Sequence, residues 1–145
     1  MGVSAYLNFD GNCREAVNHY TRVFGTEAPR IMTFGETPPN PSFPMDDATK
    51  KLVMHAEIDI AGTTIMFGDV PPGMKYVQGN DITLIVQSKN PDDITRWFNG
   101  MKQGGSVRME LGPQFWSRLY GFVTDKFGIG WQFGLVEEQS GSRQR

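Results

Sequence analysis

The chain is 145 residues long and 39% apolar, with ten Phe and three Trp, enough for an ordinary folded core without cross-links. Fourteen basic against sixteen acidic residues give a net charge of −2 with no basic stripe, which leaves no electrostatic footprint for nucleic acid. One cysteine, Cys13, excludes an internal disulfide and a cysteine-based zinc cluster, and it fits a reducing, cytoplasmic setting.

The opening MGVSAYLNF lacks a basic leader and a long apolar run, so no secretory signal is expected. No stretch of eighteen apolar residues is present to span a membrane. A first strand is predicted over Tyr6–Phe9, followed by a helix that Asn12 caps together with Glu15. Ala16, Val17, Tyr20, Val23 and Phe24 line one face of that helix, and Gly25 ends it. His19 is expected on its solvent side or at an interface. Cys13 sits where a helix dipole could activate a thiol, but with no basic partner nearby it reads as buried and inert.

A short strand near Arg30–Phe34 comes next. Residues 35–51 carry four prolines and no periodicity, and read as a structureless loop, either a lid or a surface insertion. In Leu52–Ile60 an apolar set (Leu52, Met54, Ala56, Ile58, Ile60) alternates with Val53, His55, Glu57 and Asp59, so the second set should face away from the helix. His55 and Glu57 then share a face. They form either an acid/base or ligand-orienting pair, or a purely structural one. A turn at Ala61-Gly62 returns the chain through Thr64–Phe67, and Pro71-Pro72-Gly73 opens a linker over residues 71–80.

The second half repeats the order of the first. A strand over Ile82–Val86 leads to a helix capped by Asn90 with Pro91 at its first position. Ile94, Trp97, Phe98 and Met101 form the apolar face, and Gly104 ends it. Strands follow near Val107–Leu111, at Leu119–Thr124 and at Trp131–Val136. Arg108 and Glu110 share a face and either pair or are solvated. Phe115 and Trp116 lie in a loop and either stack on a ligand or cover core, while Asp125 forms a turn. Two β-α-β-β-β modules are therefore expected, about 1–70 and 81–137, in one α+β domain. Their helices would lie outside one cupped mixed sheet, and residues 138–145 would be a disordered tail.

This duplication, with FDGNCREAVNHY, HAEIDIAGTTIMFGD and GFVTDKFGIGW, resembles the PhnB-like proteins of the glyoxalase, bleomycin-resistance and extradiol-dioxygenase superfamily. The resemblance runs over nearly all of residues 3–136, and implies the cupped sheet and a homodimer. Active members hold a divalent metal at places that fall here near Tyr6 or Asn8, Met66, Thr83 and Gln132. Among these only Gln132 offers a ligand, and a weak one, so no metal and no other cofactor is expected. Such proteins have often been labelled ubiquinone-pathway methyltransferases, but no Gly-rich loop between a strand and a helix is present to support it. The expected activity is binding of a small organic ligand by Tyr6, Asn8, Trp116, Tyr120, Phe122 and Gln132, with Phe9 adding to the aromatic lining. The alternative is a metal-dependent lyase, isomerase or dioxygenase that uses His55, Glu57 and Gln132 with a metal in an atypical place.

Overall fold

The structure, a computed structural model, describes residues 2–137. The tail expected to be disordered, residues 138–145, lies outside them. The chain divides into two compact units, one running to Val77 and one from Gln78.

In the first unit, β1 (Tyr6–Phe9) leads to helix α1 (Cys13–Phe24) and β2 (Arg30–Thr33). A turn of 3-10 helix (Phe34–Glu36) and the short α2 (Asp47–Lys51) precede β3 (Val53–Ile60) and β4 (Thr63–Asp69). The strands pair in the order β1-β4-β3-β2, with β1 parallel to β4 and the other pairs antiparallel. The second unit repeats this with β5 (Thr83–Ser88), α3 (Pro91–Met101), β6 (Ser106–Gln114), β7 (Ser117–Thr124) and β8 (Gly130–Leu135). Its order is β5-β8-β7-β6, with β5 parallel to β8. Each module thus builds its own four-stranded mixed sheet. Pro113 is accommodated inside β6 because β6 is an edge strand.

Each helix buries one face on its sheet. Ala16, Val17, Tyr20 and Phe24 are buried in the first unit with Phe9 and Phe67, the Phe67 ring lying beside both Tyr20 and Phe9. Ile94, Phe98 and Met101 are buried in the second, together with Val123, Trp131 and Phe133. His19, expected on the solvent side or at an interface, is only 7% exposed. It stands three residues after Ala16 and four before Val23, which returns it to the buried stripe beside Tyr20. Phe9, expected in the ligand face, is likewise in the core at 2% exposure, because it alternates with Asn8.

The start of α1 also differs from expectation. Asn12 makes no side-chain cap. Asp69, at the end of β4, reaches across instead. Its Oδ1 accepts from the Gly11 and Cys13 amides at 2.9 and 3.0 Å, and its Oδ2 from the Val53 amide at 2.9 Å. A distant carboxylate supplies more acceptor capacity than the local amide, and it ties the helix start to the sheet. In α3 the local cap forms as expected, with Asn90 accepting from the Asp92 amide.

The expected alternation in β3 holds only from Ala56 onward. A register shift puts Met32 opposite His55 but Thr33 opposite Val53, leaving Met54 as a bulge residue. The bulge turns Val53, fully buried, into the core in place of Met54. Residues 35–51 are not structureless. Thr33 and Glu36 form a capping box around the 3-10 turn, and the Asp46 side chain caps α2 at the Thr49 amide.

Candidate functional site

The face of the first sheet turned away from α1 carries a row set by strand register. Tyr6 lies opposite Met66, Met66 opposite Glu57, and Glu57 opposite Arg30. His55 and Asn8 lie on the same face one step along, with Asn8 opposite Gly68. The His55 Nε2 is 2.9 Å from Glu57 Oε2, and Arg30 Nη2 donates to Glu57 Oε1 at 2.5 Å. Both carboxylate oxygens are therefore engaged. The His55 contact, then the Arg30 charge, holds the Glu57 carboxyl below its ordinary range. The His55 and Glu57 side chains are 34% and 30% exposed, open enough to meet a ligand.

Tyr6 forms a fixed wall beside this pair. Its hydroxyl donates to the Met54 carbonyl at 2.9 Å, and its ring centroid lies 5.7 Å from that of His55. Burial raises the pKa of the hydroxyl, which stays protonated as a donor. Gly68 makes the arrangement possible, because a Cβ there would lie 2.5 Å from the Tyr6 hydroxyl oxygen.

In the second module the corresponding face is chiefly aromatic. Gly121 and Val123 turn toward α3; a Cβ on Gly121 would press on the Phe98 ring at 2.6 Å. Tyr120 and Phe122 therefore point the other way. The Tyr120 hydroxyl donates to Gln132 Oε1, and Gln132 Nε2 donates to Thr83 Oγ1 at 2.8 Å. Trp116 sits edge-on to Tyr120 at 5.2 Å, and Phe115 edge-on to Trp116 at 4.9 Å, the two being the turn between β6 and β7. Arg108 does not pair with Glu110; it is exposed, donates to Thr124 Oγ1 at 3.3 Å and lies over the Phe122 ring. Asp125 forms the expected turn, accepting from the Phe127 and Ile129 amides and from Trp131 Nε1.

Strand register places Met66 and Gln132 at the same point of their respective ladders, one step before Phe67 and Phe133. The places where a metal ligand would stand hold Tyr6 or Asn8, Met66, Thr83 and Gln132, none of them an imidazole or a carboxylate, and the amide oxygen of Gln132 is a weak ligand. That oxygen already accepts the Tyr120 hydroxyl. Among the described residues no group of three His, Cys, Asp or Glu is placed to hold a metal ion. The donor set does not fit a divalent cation.

Two hollows lie in the first unit. One, of about 730 Å³, has Arg30, Glu57, Asp59 and Glu27 in its wall. The other, of about 780 Å³, lies among Phe34, Phe43, Pro44, Met45, Pro71 and Pro72. The first hollow thus reaches Arg30 and Glu57 of the ionic group, but neither hollow has His55 in its wall. Arg30 and Gly68 went unremarked in the sequence. The alternation of β2 could have found Arg30; only the close approach of Tyr6 reveals Gly68.

A family model described as the Glyoxalase/Bleomycin resistance protein/Dioxygenase superfamily matches residues 3–133. The chain belongs to that superfamily. Within it, the Escherichia coli K12 protein YjdN is 32% identical over 145 residues, which cover 96% of this chain and 98% of YjdN. Protein PA1353 from Pseudomonas aeruginosa has a solved structure that matches with a TM-score of 0.83 at 29% identity, over 95% of this chain and 99% of that one. A Bacillus cereus structure described as a putative 3-demethylubiquinone-9 3-methyltransferase, PhnB protein, matches at 0.71 and 25% identity, over 94% and 100%. The expected PhnB-like membership and paired modules are thus borne out. No helix among the described residues is long and apolar enough to cross a membrane.

Proposed function

We propose that this superfamily member binds a small, flat organic molecule against a sheet face turned away from its helix, and needs no metal to do so. The observation that supports it is the Tyr120–Gln132–Thr83 chain beside Trp116. Side-chain hydrogen bonds occupy the place where a metal ligand would stand, and an aromatic edge lies next to it. Trp116 is 52% exposed and presents an indole on which an aromatic ligand can stack. A metabolite thermal-shift screen tests this, because a ligand that binds only the native state raises the melting temperature. Quenching of Trp116 fluorescence by planar aromatic compounds, lost in Trp116→Phe, places the ligand. The metal-dependent lyase, isomerase or dioxygenase is the competing reading. It would replace ours if protein purified without chelator held about one divalent metal per chain, lost in His55→Ala. The homodimer implied by the family belongs to the same proposal, and a solution mass of one chain would remove it.

A further inference from the structure

The first module carries an ionic cluster that plain ligand stacking does not use. Both oxygens of Glu57 are engaged: one takes the Arg30 guanidinium, and the other faces His55 Nε2 at 2.9 Å. Those contacts also hold its carboxyl below the ordinary range, so at neutral pH it is an ionised, acceptor-only group. An acceptor-only partner dictates the tautomer of the ring. Nε2 must carry the hydrogen, and the lone pair of the neutral imidazole then lies on Nδ1. No protein hydrogen bond to Nδ1 is found among the described residues, and the side chain is 34% exposed.

We propose that His55 Nδ1 accepts a proton from a weakly acidic, flat organic ligand, such as a phenol or an enol, with Glu57 as its positioning residue. This rests on the ligand-binding reading above and names the chemical class for the first module. In the step, the O–H bond of the ligand breaks and its electron pair stays on oxygen. The proton forms a new bond to Nδ1, and the resulting imidazolium is balanced by the Glu57 carboxylate. The ligand becomes an anion, and nothing is oxidised or reduced. Arg30, with its side chain 83% exposed, keeps N–H groups beyond the one given to Glu57 and can face that anion. Tyr6, pinned by its bond to Met54, supplies a flat wall, and Met32, 46% exposed, an apolar surface. The titratable and charged groups on this face are Glu57 and Asp59 on β3, Arg30 on β2 and Tyr6 on β1. From β4 come Met66 and Gly68, which carry no charge.

The test uses the full chain and a nitrophenol, at a pH below the nitrophenol's own pKa. Equilibrium dialysis measures how much is bound, and absorbance reports how much of it is phenolate. The expected result is a several-fold rise of the phenolate band with the wild type. His55→Gln should bind nitrophenol without that rise, and its circular dichroism should match the wild type. Nitrogen-15 NMR of the free protein should show Nε2 protonated and Nδ1 bare, with that preference lost in Glu57→Gln. A protonated Nδ1, an equal rise in His55→Gln, or binding without a rise in the wild type would each overturn the proton transfer and leave the binding reading standing. If no nitrophenol binds, the phenol class is overturned, while the metabolite screen still decides whether the protein binds ligands at all.

Discussion

At the ladder position where β3 carries His55, β7 carries Tyr120; where β3 carries Glu57, β7 carries Phe122. Opposite them stand Arg30 in one module and Met109 in the other. Tyr6 corresponds in the same way to Ile85, and Met66 to Gln132. The two modules share a lattice of hydrogen bonds and have divided the chemistry between them. One face holds a His–Glu–Arg ionic group, the other a neutral hydrogen-bonded chain beside aromatic edges, with Arg108 over Phe122. Backbone pairing is indifferent to what the outward side chains are, so a duplicated fold can keep its register while its two faces diverge. The helix anchors diverge too: Asp69 ties down α1, while the same point of the second ladder holds Leu135, and α3 depends on its own Asn90.

That last contrast gives the largest expected effect. Asp69→Ala leaves three amide donors without their acceptor, and should cost on the order of 3–5 kcal/mol in urea unfolding. Asn90→Ala should cost about 1 kcal/mol. Equal losses would mean that the two helix starts are anchored alike. The next contrast is between glycines at matching ladder positions. Gly68→Ala drives a Cβ against the Tyr6 hydroxyl and the Met54 carbonyl, at 2.5 and 2.8 Å. It should cost roughly 1–3 kcal/mol. A Cβ on Gly134 meets nothing nearer than 3.8 Å, so Gly134→Ala should stay within about 0.5 kcal/mol.

Smaller still is the effect of removing a hydroxyl. Tyr120→Phe takes the donor from Gln132 at a site where Tyr120 is only 7% exposed, and should cost about 1 kcal/mol. Tyr6→Phe, at 44% exposure, should cost less, because water can replace the lost bond. The reverse order would place the better-protected polar chain in the first module. The smallest effect concerns pH. The Glu57 carboxyl lies below its ordinary value of 4.5 in the folded state. It therefore adds stability above that value, and the contribution fades as pH falls through the lower folded value. Glu57→Gln should slightly flatten the acid limb of a melting-temperature profile, whereas Phe122→Leu should leave its slope unchanged.

Most of the fold was legible because its signals are local. The α1 and α3 stripes, the Asn90-Pro91 start, the positive-φ turn at Ala61-Gly62 and the Asp125 turn are all written within a few residues. What the sequence concealed depends on partners distant along the chain. Asp69 caps a helix from 56 residues away, and the Met54 bulge exists only against β2. His55 with Glu57 was visible through period-two alternation, since the bulge lies before them. Arg30 completes that group only through strand pairing, and the Tyr120–Gln132–Thr83 chain spans three strands.

The central claim is that ligand binding needs no metal, and chelator-treated protein tests it most directly. A hit from the metabolite screen should raise the melting temperature by the same amount with the chelator present as without it. A shift that vanishes in chelator and returns only when a divalent cation is restored would contradict the account.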